Sequence, residues 1–404
     1  MYKITHFGGV MISEKMKALV KGSSVIRAMF EEGKKMAAVV GAENVYDFSL
    51  GNPSVEPPQA VTDAIARVNA NPDKNYVHGY MSNAGHDAVR EKIASYLNGK
   101  YGTGFGKQNI VMTVGAAGGM NVILKTLCNP GDEVITFSPF FGEYRSYVSN
   151  VDGKLVELAP NPPKFLPDMK ALEEAITPLT KFLIVNSPNN PTGVVYSEET
   201  IKKIAAVLEK KQKELGTSIF ILSDEPYREL VYGDITVPFI TKYYRNTIVG
   251  YSYSKSLSMP GDRIGYLVIP SEIDDFEEVS AAAGIATRVL GFVNAPSLMQ
   301  LAIAECLDAS VDISIYNANR ELLYNALTGY GYECVKPDGA FYMFVKALEP
   351  DDKAFVEHAK KFHLLLVPGS GFGCPGYVRI AYCVDKSMIE RSLPAFEKLA
   401  AEYR

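Results

Sequence analysis

Phe182-Leu183-Ile184-Val185-Asn186 and Ser218-Ile219-Phe220-Ile221-Leu222, separated by a helical segment from Glu198 to Glu214, decide the fold. Both runs are almost wholly apolar, as strands of a parallel sheet are when helices cover both faces. The unit is therefore strand–helix–strand, and the sequence around it repeats the pattern. Ile110-Val111-Met112-Thr113 reads as a strand, Gly118 to Leu127 as a helix closed by Asn129-Pro130-Gly131, and Glu133 to Phe137 as a strand. Thr247 to Tyr253 and Ile264 to Ile269 complete the set. Such alternation predicts a doubly wound α/β domain with a mainly parallel central sheet. Before it lie an amphipathic helix over 24–40, a strand from Val45 to Leu50 stopped by Gly51-Asn52-Pro53, and helices after Pro57-Pro58 and from Asn83 to Leu97. After it come helices near 295–308 and 312–328, strands near 341–345 and 376–382, and a last helix. The expected division is a large α/β domain over 55–292 and a smaller α+β domain built from 1–54 and 293–404.

Composition narrows the function classes. In 404 residues, 47% are hydrophobic and 22% charged, which is globular and not disordered. A formal net charge of −5 argues against a nucleic-acid or anionic-membrane partner. No apolar run approaches the ~20 residues of a membrane span, and Met1 to Gly9 lacks the apolar core of a signal peptide. Cys128, Cys306, Cys334, Cys374 and Cys383 are scattered. They form neither a disulfide framework nor, with the histidines, a metal motif. A cytoplasmic, metal-free protein is expected.

In an open α/β sheet the ligand sits beyond the carboxyl ends of the strands, so polar residues just after each strand are the candidates. Tyr251-Ser252-Tyr253-Ser254-Lys255-Ser256-Leu257-Ser258-Met259-Pro260-Gly261-Asp262-Arg263 sets one lysine among hydroxyls, with an arginine eight positions on. Lys255 is a candidate amine nucleophile, and the hydroxyls and guanidinium suit a phosphate; a solvated loop lysine is the ordinary alternative. Thr113-Val114-Gly115-Ala116-Ala117-Gly118-Gly119 opens a helix whose N-terminus favours an anion, or is only a tight turn. Gly102-Thr103-Gly104-Phe105-Gly106 reads as a flexible loop. Phe141, in Ser138-Pro139-Phe140-Phe141, offers a flat ring that either stacks on a planar ligand or fills core. Asn190 lies in Asn186-Ser187-Pro188-Asn189-Asn190-Pro191-Thr192-Gly193, a loop its prolines stiffen, although a plain turn shares the composition. Asp224, in Ser223-Asp224-Glu225-Pro226-Tyr227, is a strand-end carboxylate that faces a cation or caps a helix. Arg379 stands alone in the apolar strand Gly376-Tyr377-Val378-Arg379-Ile380-Ala381-Tyr382, and its fork matches a carboxylate.

Taken together, the N-x-P-x-N-P-T-G string, the lysine segment and Lys336-Pro337-Asp338-Gly339-Ala340-Phe341-Tyr342 resemble the class I aminotransferases of the aspartate aminotransferase type. The resemblance spans nearly the whole chain. It implies a fold type I enzyme that uses pyridoxal 5′-phosphate (PLP), with Lys255 as the cofactor-binding lysine and Asp224 as partner of the pyridine nitrogen. Asn190 and Tyr227 match the residues bonded to the ring hydroxyl, and Phe141 the stacking ring. Ser252, Arg263 and the Gly115-Ala116-Ala117 turn match the phosphate cup. Tyr80, five residues before Gly85, matches a tyrosine that reaches the phosphate of a neighbouring subunit, which implies a homodimer with shared sites. Gly51, Asn190 and Arg379 match the substrate-carboxylate site. The implied reaction moves the amino group of an L-amino acid to a 2-oxo acid by a ping-pong mechanism, with aspartate-like or broad specificity. Arg288 lies one residue out of register from an arginine that reads a second carboxylate in one subgroup, and a solvated helix arginine is the favoured reading of it; Gly22-Ser23-Ser24-Val25-Ile26 is expected along the substrate side. A PLP-dependent C–S β-lyase shares the same residues, and a non-catalytic PLP-binding regulator would need an added DNA-binding domain.

Overall fold

The computed structural model describes residues 12–21 and 25–404. A short strand, β1 (Tyr46–Asp47), comes first. It is followed by β2 (Ile110–Thr113), β3 (Glu133–Phe137), β4 (Lys154–Leu158), β5 (Thr180–Asn186), β6 (Phe220–Asp224), β7 (Thr247–Ser252) and β8 (Gly265–Val268). The last third adds β9 (Tyr342–Lys346), β10 (Leu364–Leu365), β11 (Val367–Pro368) and β12 (Tyr377–Ala381).

Among the described residues, β2 to β8 form one seven-stranded sheet in the order β2-β8-β7-β6-β5-β3-β4. All its pairs are parallel except those of β8, which runs antiparallel to both β7 and β2. β6 is buried along its whole length, as its unbroken apolar run predicts. The helix Glu198–Leu215 between β5 and β6 shows how the layers form. Ser197 caps it, its hydroxyl accepting from the Thr200 amide at 3.2 Å, and Gly216 ends it in the left-handed region at φ 66°. Between the caps, Ile201, Ile204, Ala205 and Leu208 make the stripe buried on the sheet. Each of the large ones contributes about 1.5–3 kcal/mol on burial.

The two ends of the chain meet. β1 pairs in parallel with β10, the Ala381 amide donates to the Phe48 carbonyl at 2.9 Å, and Met29 and Phe48 share a core with Leu323, Phe341 and Phe396. Beside them β11, β12 and β9 form an antiparallel sheet.

Three readings change. β4 was not anticipated: it is an edge strand with Lys154 exposed, so its sequence lacks the buried-strand signal. The helix after β2 starts at Gly115, three residues earlier than expected. The Gly102–Gly106 segment is not a free loop, because the Asn98 side chain bonds both the amide and the carbonyl of Phe105 at 2.8 Å, and a 3-10 turn follows it. Gly22, Ser23 and Ser24, and the first ten residues, lie outside the described residues.

Candidate active site

A cavity of about 290 Å³ opens at the carboxyl edge of the sheet. Each parallel strand delivers its side chains there because the chain turns away from the sheet at that edge. Ala116 and Ala117 come from the helix after β2 and Phe141 follows β3; Asn186, Asp224 and Ser252 end β5, β6 and β7, and Asn190, Tyr227 and Lys255 follow them. Arg263 joins them only because β8 is reversed, which brings the residues before Gly265 to the same edge. The C-terminal sheet contributes Tyr342 from β9 and Arg379 from β12, and Gly51 follows β1. The lining holds three cations, Lys255, Arg263 and Arg379, against one carboxylate, Asp224. In a chain of net charge −5 this is a local positive field that selects anions.

At the anion-binding end, Ala116 and Ala117, in the first turn of the helix Gly115–Leu127, line the cavity, and the amides of a helix's first turn have no intrahelical partner. Gly115 itself lies beneath the lining at φ 78°, and a Cβ there would press on the Arg263 guanidinium. Arg263, itself left-handed at φ 53°, is tied by donating from Nη1 to the Pro260 carbonyl at 2.8 Å and from Nη2 to the Val114 carbonyl at 3.2 Å. Ser252 caps the short helix that carries Lys255, and its hydroxyl lies 2.7 Å from that of Ser254.

Lys255 Nζ donates to the Gly51 carbonyl at 2.6 Å and sits 5.2 Å from the centroid of the Phe341 ring. Burial pulls its amine down to about 8, with Arg379 and Arg263 pushing the same way against Cys383. Asp224 ends β6 and caps no helix. Its Oδ2 accepts from the Tyr144 hydroxyl at 2.6 Å, while Oδ1 is buried with no hydrogen-bond partner among the described residues. Burial raises this carboxyl to about 6, the Tyr144 bond opposing it and Glu225 adding to it.

Arg379 is 2% exposed and has no carboxylate partner among the described residues. Nη1 donates to Asn190 Oδ1 at 3.1 Å, Nη2 to the Ser49 carbonyl at 2.6 Å, and Nε has no partner among the described residues. The rings of Tyr342 and Phe372 face it at 4.5 and 5.0 Å. One backbone carbonyl, one side-chain amide and two π-faces steady the guanidinium without neutralising its charge. The Tyr227 and Tyr342 hydroxyls lie 3.0 Å apart, and the Tyr342 hydroxyl abuts Gly51 where any side chain would collide with it.

Lys255, Asp224, Tyr227, Ala116, Ala117, Phe141, Asn190, Ser252, Arg263, Gly51 and Arg379 thus converge on one cavity. Tyr80 does not: it is 92% exposed and outside this lining. Arg288 is also exposed, in the last turn of the helix Phe276–Val289. Sequence reasoning missed Tyr144 and Tyr342 as functional neighbours. Tyr342 stood at the end of the Lys336–Tyr342 motif and could have been flagged, whereas nothing in the sequence marks Tyr144.

Residues 43–396 match the family Aminotransferase class I and II. The chain belongs to this family. It is 31% identical to an aspartate aminotransferase of Pyrococcus horikoshii over 391 residues, 95% of this chain and 96% of that protein. An aminotransferase structure from Eubacterium rectale superposes with a TM-score of 0.95 at 53% identity, covering 98% of this chain and all of that one. The aspartate aminotransferase from Thermus thermophilus with maleate gives 0.85 at 27% identity, covering 97% of this chain and all of that one. The fold is accordingly fold type I α/β, and amino-group transfer is the reaction of an aminotransferase of this family. No helix among the described residues is long and apolar enough to cross a membrane, and no cluster there could hold a metal ion.

Proposed function

We propose that this aminotransferase uses pyridoxal 5′-phosphate, acts on an aspartate-like L-amino acid and a 2-oxo acid, and works as a homodimer. The observation that carries the cofactor reading is Asp224 Oδ1, a buried carboxylate oxygen without a donor, at the end of a cavity whose other end is an anion cradle. A protonated ring nitrogen satisfies the first and a phosphate the second, so the residues fit the group. Ala116, Ala117, Ser252 and Arg263 would hold the phosphate, Phe141 would cover the ring, and Asn190 and Tyr227 would bond its hydroxyl oxygen. Bound there, pyridoxal phosphate supplies an electrophilic carbonyl and an electron-withdrawing ring.

The chain does the rest. Arg379 and Asn190 orient the substrate carboxylate, with the Gly51 backbone beside them. Lys255 Nζ, as a neutral amine, would accept the proton given up by the substrate Cα and hand a proton back to complete the transfer. An amine already brought down to about 8 is close to the working pH, where such transfers run best. Asp224, through its unpaired Oδ1, would favour the protonated form of the ring nitrogen.

The names of the relatives support aspartate. Within this chain's cavity, however, the described residues include no cation beyond Lys255, Arg263 and Arg379 to meet a second substrate carboxylate. Exposed Ile285, Val289, Phe292 and Val293 lie along and just after the helix Phe276–Val289. An apolar patch of this kind suits a second copy of the chain.

The test is a half-reaction. Mixed with L-aspartate and no oxo acid, the yellow holoenzyme should convert its visible band stoichiometrically and release one oxo acid per site. Continuous release of ammonia with the band unchanged would sink the transfer reading. A narrower prediction concerns Arg379→Lys, which keeps the charge but loses the fork: KM for the amino acid should rise by about 10–100-fold, with kcat falling less. An unchanged KM would remove Arg379 from the carboxylate site.

A further inference from the structure

The two oxygens of Asp224 are not equivalent. Oδ2 is taken by Tyr144 at 2.6 Å, and Oδ1 is left without a partner in a residue that lines the cavity. Tyr144 itself is fully buried and does not line the cavity. It sits at the start of the helix Tyr144–Ser149, its ring stacked on Phe140 at 6.2 Å and edge-on to Phe141 at 5.8 Å. Phe141 is the ring that does line the cavity. A carboxylate left alone rotates easily about its last torsion and presents either oxygen. A donor locked in packed aromatic rings removes that freedom.

We propose that Tyr144 is the positioning residue that aims Asp224: by holding Oδ2 from behind, it presents Oδ1 as the oxygen offered to the ring nitrogen of the bound cofactor, and through its ring it also sets Phe141. The proposal rests on the pyridoxal-phosphate reading above. Tyr144 suits the task because burial, with Asp224 next to it, holds its hydroxyl well above the ordinary range, so it remains an O–H donor. The bond also favours the ionised carboxylate, opposing the burial that raises it. Asp224 is flanked by Glu225 in sequence, by Tyr147 of the same helix as Tyr144, and by Tyr227, while Lys255 and Arg263 share its cavity. None of these but Tyr144 hydrogen-bonds its carboxylate.

The test uses pyridoxamine 5′-phosphate, which forms no bond to Lys255, titrated calorimetrically into the full chain stripped of cofactor, from about pH 5 to pH 8. Tyr144→Phe keeps the ring and deletes the hydroxyl. Its affinity should fall about tenfold at neutral pH, as loss of one hydrogen bond to a charged group predicts. The acid-side fall in affinity should also move to higher pH, because the carboxyl loses the contact that lowers it. In an Asp224→Asn background the same substitution should change affinity by less than about twofold, since the pair is already broken. A uniform loss with an unmoved acid limb would mean packing only and would overturn the proposal. So would Tyr144→Phe binding like the parent while Asp224→Asn binds weakly, a result that spares the cofactor reading. If Asp224→Asn also binds like the parent, the cofactor reading fails and this proposal with it.

Discussion

Lys255→Ala lowers turnover by more than about 10⁴-fold, since it removes both the nucleophile and the proton carrier. The effect is this large because no other amine lines the cavity among the described residues; the neighbouring cations, Arg263 and Arg379, are guanidiniums. Folding is expected to survive, because the lysine gives up one bond to the Gly51 carbonyl and relieves a buried charge. Two measurements check it. Steady-state transfer should vanish, and borohydride should no longer fix the cofactor to the peptide containing residue 255, a loss seen by mass. A variant that still turns over and still fixes cofactor there would remove Lys255 from the mechanism. The pH dependence has a definite sign. With the amine at about 8 in the cofactor-free chain, its neutral fraction grows as pH rises through that value. Covalent capture of the cofactor should therefore speed up from pH 7 to pH 9.

Asp224→Ala slows proton removal from the substrate Cα by about 10³-fold or more, and Asp224→Asn should lie close to it. The asparagine keeps the shape and loses the charge, so similar losses in both assign the effect to electrostatics and not to a hole in the sheet. A primary isotope effect with Cα-deuterated amino acid reads the step directly. Near-normal rates in Asp224→Asn would remove the proposed ring-nitrogen contact. The same residue links site and stability. Its folded carboxyl is raised from 3.8 to about 6, so the folded chain binds that proton more tightly than the unfolded one. Without cofactor this group's contribution to stability falls as pH climbs from about 4 to 6. A bound cation opposite Oδ1 reverses that, so cofactor should raise the melting temperature more at pH 7 than at pH 5.

These two residues also show how far the sequence reaches. Asp224 was legible because it ends a strand whose apolar run points its carboxyl edge at the cavity, and Lys255 because its spacing from Ser252 and Arg263 resembles the family's lysine segment. Arg379 was legible because a lone arginine in an apolar strand must find an anion. The Gly102–Gly106 segment misled because no α-helix follows it, while the side chain that fixes it, Asn98, lies on the preceding helix. Strand β4 was missed because an exposed edge carries no buried-strand pattern.

By itself, the sequence determined the α/β class and the strand–helix alternation, because hydrophobic periodicity and turn chemistry are local, and its resemblance to the family pointed to the residues at the carboxyl edge. Only the tertiary structure decided which groups touch. Tyr144 reaches Asp224 across 80 residues, Arg379 reaches Asn190 across 189, and Lys255 reaches Gly51 across 204. The reversed direction of β8, which puts Arg263 at the anion cradle, likewise depends on which neighbours it pairs with. Contacts of that range follow from how the layers pack against one another, and no spacing along the chain encodes them.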